Sequence, residues 1–182
     1  PGGDMRGDAV RLWGFWPALR RLGGAAIWVL REDKTARRVM AGNALAGAAA
    51  TLTLFFLQRK IGAALSAGTP ELGPALVLLG LGGALAGLGA RPLSRLPWGK
   101  AAALAGCGIG FGVLLARHGS LPLLLAAGLL AGFCDDSLQL VSDSLLNARF
   151  PTAQRATLIS VASLLFSLAM IPLSPAFGWL LG

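Results

Sequence analysis

The chain of 182 residues is 55% apolar and only 13% charged, and its formal net charge is +8. A soluble domain carries about 25% charged residues, so these values indicate a membrane protein. The basic residues lie between apolar runs, which favours a role in membrane topology over nucleic-acid binding. The chain has one histidine and two cysteines, and the cysteines lack the spacing of metal ligands. The sequence therefore gives no indication of a metal site, a cofactor or a catalytic cluster.

Residues 1–33 are the least apolar part of the chain and are predicted to form a cytoplasmic loop or interfacial segment. Leu12, Phe15, Trp16 and Leu19 follow the i, i+3, i+4, i+7 pattern of an amphipathic helix at a membrane surface. A proline and two glycines interrupt this pattern. A partly helical basic linker is therefore an equally good interpretation.

Residues 34–182 contain five apolar runs, each bounded by basic or turn-forming segments. Their lengths suit membrane-spanning helices, so the predicted fold class is an all-α, polytopic membrane helix bundle. The fifth run contains Pro172 and Pro175, which predict a kink because each proline removes a backbone donor. The predicted spans are residues 39–57, 72–90, 101–116, 121–145 and 157–181.

Glycines recur four residues apart within three of the predicted spans. This spacing lets two helix backbones approach closely, and close packing is preferred here over a kinked, moving helix. The pairs are Gly83 with Gly87, Gly106 with Gly110, Gly108 with Gly112, and Gly128 with Gly132.

The basic residues predict which side of the membrane each segment occupies. The amino-terminal segment, with the second and fourth loops, holds 13 lysines and arginines, whereas the other two loops hold three. By the positive-inside rule, residues 1–38 and loops 91–100 and 148–156 are predicted to be cytoplasmic. The fourth span then runs from outside to inside, and the predicted location is the inner or plasma membrane of a cell, with several passes.

Polar side chains interrupt the fourth span about halfway along its length. A charged side chain there is costly and usually faces a bundle interior or a water-filled cavity. Since adjacent carboxylates disfavour being ionised together, Asp135 and Asp136 are candidates for binding a proton or a cationic substrate. The helical period predicts two stripes: the first holds Asp135, Gln139, Ser142 and Asn147, and the second holds Asp136 and Asp143.

Structural roles for these residues stay open at this point. Asp135 or Asp136 could cap a broken helix or hydrogen-bond Asn43, the one strongly polar residue of the first span. Asn43 itself suits helix–helix hydrogen bonding, with a place on the substrate pathway as the alternative. Asp143 lies nearer the interface, where an ion pair with Arg149 or Arg155 is the preferred prediction.

Three stretches resemble the carboxy-terminal half of a major facilitator superfamily (MFS) transporter, from helix seven to helix eleven. KTARRVMAGNALAGAAATLTLFFLQ is similar to the seventh helix and the stretch before it. GALAGLGARPLSRLPWGK resembles a degenerate copy of the family's Gly/Arg-rich loop without its acidic residue, and SLLNARFPTAQRATLISVASLLFSL is similar to the junction of helices ten and eleven. The residues that carry the resemblance are Gly83, Arg91, Arg95 and Lys100 in the loop, and Asn147, Pro151 and Arg155 at the junction.

This resemblance implies a secondary active transporter of small molecules that works by alternating access, with proton-coupled export as the preferred form. The chain would be part of one half, with the twelfth helix and the amino-terminal half lying outside it. Its implied partners are the lipid bilayer, the missing half, a small-molecule substrate and protons. A transporter of this kind is not an enzyme and needs no cofactor.

Two other functions are compatible with the sequence. A membrane scaffold or assembly protein that does not transport would tolerate neutralisation of Asp135 and Asp136 but not changes on its glycine faces. A membrane-embedded enzyme that uses the carboxylates is less favoured, since no second acidic cluster or metal motif accompanies them. Substrate identity cannot be inferred from resemblance in fold.

Overall fold

A computed structural model describes residues 31, 33–65, 69–150 and 152–182, and the part of the chain that it describes contains six α-helices and no strand. The predicted interfacial segment, apart from Arg31 and Asp33, lies outside the described residues, as does Pro151. The helices are α1 Lys34–Leu65, α2 Leu72–Ala84, α3 Ala86–Leu93, α4 Trp98–Arg117, α5 Leu121–Arg149 and α6 Thr152–Leu181.

Five helical segments of the described chain are long and apolar enough to cross a membrane, with α2 and α3 together counting as one. This confirms the prediction of an all-α bundle with five candidate spans. Large apolar side chains such as Phe55, Leu88, Phe111 and Ile171 are exposed on the outside of the bundle. Such a surface suits lipid, in which an apolar side chain needs no burial against protein.

The helices extend beyond the predicted spans, and the predicted loops are correspondingly short. Helix α5 continues to Arg149 and α6 begins at Thr152, so little of the predicted loop 148–156 lies between helices. Arg91 and Lys100 also lie within helices, at the end of α3 and the start of α4. Hydropathy marks where the hydrocarbon ends, whereas a helix can continue into the headgroup region with its charged side chains in water.

The second span was predicted as one helix, but it is interrupted at Leu85. The N–H of Leu85 donates to the carbonyls of Leu81 and Gly83, and α3 begins at the next residue. Five glycines lie between residues 80 and 89. Because glycine is a poor helix former, this stretch has little intrinsic preference for one continuous helix.

Helix α5 is the centre of the bundle, since it packs against α1, α2, α3 and α4. Helix α6 packs mainly on α1, with fewer contacts to α4. It approaches α5 at the two ends of the helix, where Phe150 packs near Leu158 and Leu124 near Leu181. Between these ends a gap remains between α5 and α6.

The predicted glycine pairs are only partly correct. Gly108 with Gly112 and Gly128 with Gly132 lie in helix contacts, where an added Cβ would meet a neighbouring helix. The pair Gly83 with Gly87 is wrong, because Gly87 faces open space, and Gly82 and Gly89 contact α5 instead. The break at Leu85 shifts the register between α2 and α3. The outward-facing glycines, with nothing within 4 Å of an added Cβ, include Gly80, Gly87, Gly106 and Gly110.

Asp33 caps α1 at the end of the bundle where α5 ends and α6 begins. Its Oδ1 accepts hydrogen bonds from the N–H groups of Thr35 (2.8 Å) and Ala36 (3.0 Å), and its Oδ2 accepts one from Nη1 of Arg149 (2.9 Å). The N–H of Ala36, with smaller contributions from Arg149 and Thr35, holds the pKa of Asp33 below its ordinary value. We refer to this end of the bundle as the Asp33 end.

Candidate functional site: a polar groove between α1, α5 and α6

A cavity of about 450 Å³ lies between α1, α5 and α6, and we call it the polar groove. Each helix presents polar or small residues four positions apart, a spacing that keeps them near one helix face. The groove is open because α6 reaches the bundle through α1 rather than through α5. Its polar and small lining residues are Asn43, Gly47 and Thr51 of α1, Asp135, Gln139 and Asp143 of α5, and Ser163 and Ser167 of α6.

The lining of the polar groove is rich in hydrogen-bond acceptors. It contains two carboxylates, Asp135 and Asp143, and no lysine, arginine or histidine among the described lining residues. The Oδ1 atom of Asn43 is buried and has no hydrogen-bond partner in the described chain. Acceptors without partners favour a proton, a cation or a hydrogen-bond donor as their occupant.

Asp136 does not face the polar groove, so the two adjacent aspartates do not form one site. Its side chain packs against α2 at Gly83, where an added Cβ would overlap the Asp136 Oδ2 atom. Successive residues of a helix point about 100° apart. Because α5 has neighbours on both sides, this rotation sends Asp135 towards α1 and Asp136 towards α2.

The predicted first stripe of α5 is wrong at Ser142, whose place in the groove Asp143 takes. Ser142 is fully buried and accepts a hydrogen bond of 3.1 Å from Nε1 of Trp98, while Asp143 lines the groove. The indole of Trp98 also occupies the space beside Gly42 of α1. The groove therefore follows the i, i+4 ridge of α5, which is inclined to the helix axis, rather than a line parallel to the axis.

Asp143 does not form the predicted ion pair with Arg149 or Arg155 within the described residues. Arg149 pairs with Asp33 at 2.9 Å, and Nη2 of Arg155 donates to the carbonyl oxygen of Asn147 at 3.3 Å. A smaller cavity of about 160 Å³ adjoins the polar groove and shares Asp143 with it. Asn147 and Arg155 line this smaller cavity, so these two junction residues lie beyond Asp143, towards the Asp33 end.

The predicted loop residues lie away from the polar groove. Gly83 is in α2, against Asp136, whereas the side chains of Arg91, Arg95 and Lys100 are exposed near the turn between α3 and α4. A role for this group as one loop motif stays a prediction. The Oδ1 atom of Asn43 takes no part in the hydrogen bond that was considered between Asn43 and an aspartate.

Several groove residues were not predicted from the sequence. Ser163 and Ser167 lie four residues apart in an otherwise apolar stretch of α6, and this spacing was a usable signal. Gly47 and Phe166 carried no comparable signal, since glycine and phenylalanine are common in membrane helices. Their place in the groove depends on which helices meet.

No protein-family model matches the chain, and searches among curated proteins and among solved structures found no match.

Proposed function

We propose that the chain is part of one half of a secondary active transporter of small molecules, with the polar groove on its transport pathway. The observation that carries this proposal is the convergence of polar side chains from three helices on one open cavity within an otherwise apolar bundle. The three stretches that resemble an MFS carboxy-terminal half support alternating access. Proton-coupled export from a bacterial inner membrane is the preferred form.

The contrast between two kinds of polar residue supports a pathway over a purely structural role. Among the described residues, the three fully buried hydroxyls are all hydrogen-bonded: Ser137 donates to the carbonyl of Ala86 at 3.0 Å, Thr53 donates to that of Ala49 at 2.7 Å, and Ser142 accepts from Trp98. By contrast, neither Asp135 nor Asp136 has a hydrogen bond or ion pair with another described residue, and of the two only Asp135 faces the groove. A carboxylate near the middle of a span costs at least about 2.5–3.5 kcal/mol on insertion scales. A protein that served only as a scaffold would gain nothing from a carboxylate at this position to offset the insertion cost.

The surroundings of Asp135 suit a group that exchanges a proton or a cation with the groove. The Asp135 carboxylate and the Phe166 ring of α6 both approach Gly47 of α1, while Asp136 follows Asp135 on α5. The described lining offers no basic side chain to neutralise Asp135 permanently. A proton or a cation that enters the groove can therefore neutralise Asp135. Coupling of substrate transport to a proton requires such a group.

A transport assay on the full-length protein that contains this chain tests the proposal. The protein is reconstituted into liposomes that hold a pH-sensitive dye, and cationic, zwitterionic, anionic and neutral solutes are added in turn. We expect at least one class to drive a proton flux, and Asp135→Asn to reduce that flux at least about tenfold, which corresponds to about 1.4 kcal/mol. Asp136→Asn is the matched control, because it makes the same chemical change on the face of α5 that packs against α2.

Each outcome of this assay decides a separate point. No proton flux with any solute class would contradict proton-coupled transport and favour the scaffold. Equal losses in Asp135→Asn and Asp136→Asn would contradict the assignment of the pathway to the polar groove. Elution of both variants at the wild-type position in gel filtration shows that neither loss reflects misfolding.

A further inference from the structure

One point in the polar groove is approached from two sides by chemically different groups. A Cβ built on Gly47 would lie 3.5 Å from Oδ1 of Asp135 and 3.7 Å from two ring carbons of Phe166. The carboxylate and the aromatic ring thus belong to different helices, α5 and α6, yet converge on the same position above α1. Glycine leaves that position empty of protein side-chain atoms.

A carboxylate beside an aromatic ring is a combination that recognises organic cations. The carboxylate attracts the positive charge, and the face of an aromatic ring attracts a cation within about 6 Å of its centroid. Asn43 adds a buried oxygen without a hydrogen-bond partner to the same groove. No lysine, arginine or histidine among the described lining residues competes for these acceptors.

The size of the groove favours an organic cation over a metal ion. A volume of about 450 Å³ lies in the range of roughly 300–1,000 Å³ that is typical of small-molecule sites. Apolar side chains from all three helices, including Met40, Leu146 and Ile159, complete the lining. An ammonium group that carries apolar substituents would complement both the negative charge of Asp135 and the apolar part of the lining.

We propose that the polar groove contains a subsite for an organic ammonium ion, with the positive centre held between Asp135 and Phe166 above Gly47. This inference rests on the proposed transport function, for which it names the substrate class. It is independent of the coupling ion, since binding alone reveals the subsite. The subsite is therefore testable without transport.

Gly47→Ala tests the subsite directly. The new methyl group would project into the groove between the Asp135 carboxylate and the Phe166 ring and narrow the space for the ammonium group, yet its contacts of 3.5 and 3.7 Å are ordinary van der Waals distances that the fold accommodates. Alanine also favours helix more than glycine, so the variant is expected to fold. Gly62→Ala is the matched control, because it makes the same change in α1 where nothing lies within 4 Å.

The probe is radiolabelled benzyltrimethylammonium, measured by equilibrium dialysis against the full-length protein in detergent. Neopentylbenzene, in which carbon replaces the charged nitrogen, is the competing neutral control. We expect Gly47→Ala and Asp135→Asn to weaken binding at least about tenfold and Phe166→Leu to weaken it by about 3- to 30-fold. Gly62→Ala should bind like the wild type, and neopentylbenzene should not compete.

The subsite is overturned if the wild-type protein does not bind benzyltrimethylammonium, if neopentylbenzene competes equally, or if Gly47→Ala and Gly62→Ala behave alike. Failure of the subsite and failure of transport remain distinguishable. A flux driven only by anionic or neutral solutes, and lost in Asp135→Asn, would uphold transport and reject the cation subsite. Binding with the expected variant pattern but no flux would uphold the subsite and reject transport.

Discussion

The contact between α2 and α5 provides a quantitative test of the packing. Gly82 is buried, and a Cβ on it would overlap the carbonyl oxygen of Leu129 and lie 3.0 Å from the Leu129 Cα. These atoms belong to the backbone of α5 and cannot rotate away. Gly82→Ala must therefore push α2 from α5, and a gap of about 0.5–1 Å forfeits about a quarter to a half of the dispersion energy across it.

The expected change in the free energy of unfolding of Gly82→Ala follows from two opposing effects. Overpacking a well-packed contact costs about 1–3 kcal/mol, whereas replacing glycine by alanine within a helix contributes up to about 1 kcal/mol of stability. Gly80→Ala gains the same helical preference but has nothing within 4 Å of its new methyl group. The preference cancels when the two variants are compared, so Gly82→Ala should be less stable than Gly80→Ala by about 1–3 kcal/mol.

Unfolding by SDS in mixed micelles, followed by circular dichroism, measures this difference. We expect the order of unfolding free energies to be Gly80→Ala at or above the wild type, and Gly82→Ala below it. Gly87→Ala is a second control, in α3, since nothing lies within 4 Å of its added Cβ. Equal stability of Gly82→Ala and Gly80→Ala would refute the argument, because it would mean that α2 and α5 do not meet backbone to backbone.

Two further predictions concern the Asp33 end. Asp33→Ala should lower the free energy of unfolding by about 1 kcal/mol through loss of the helix cap, as measured by the same SDS titration. Because backbone N–H groups and Arg149 lower the pKa of Asp33 in the folded protein, its contribution is complete above the unfolded-state pKa of about 3.9 and is lost as the pH falls through the folded-state value. The stability difference between the wild type and Asp33→Asn should therefore shrink below about pH 4, and a constant difference down to pH 2 would contradict this. Trp98→Phe removes both the N–H that bonds Ser142 and the far edge of the indole that packs beside Gly42, so it should lose more than the about 0.5–1.5 kcal/mol of the hydrogen bond alone. The double variant with Ser142→Ala should lose less than the sum of the single changes.

The existence of five spans could be predicted from the sequence because it depends on local composition. A run of apolar residues of membrane length specifies a helix whatever its neighbours are. The helix bounds could not be predicted equally well, since Arg91 and Lys100, which were assigned to a loop, lie within α3 and α4. The break at Leu85 depends on the balance between a weak helix former and tertiary contacts, which composition does not reveal.

The site was predictable in part for the same reason. Asp135, Gln139 and Asn43 were selected because polar residues in a span are costly, and the structure places all three in one groove. The direction in which each side chain points was not predictable. Asp135 and Asp136 are adjacent and equally polar, so the sequence does not distinguish them. The neighbouring helices do, because Asp136 meets α2 whereas Asp135 faces the groove.

Helix α5 thus accommodates polar residues within a membrane span in two different ways, and the difference bears on function. Ser137 and Ser142 are completely buried and hydrogen-bonded to α3 and α4, so they stabilise one arrangement of the bundle. Asp135 and Asp143 lie on the side that α6 leaves open and have no such partner in the described chain. Since an unpaired carboxylate is unfavourable in hydrocarbon, stability alone does not account for these two residues. Occupation of the groove by a cation or proton would remove that unfavourable term, which is why the polar groove, rather than the pair Asp135 and Asp136, is the place to test for transport.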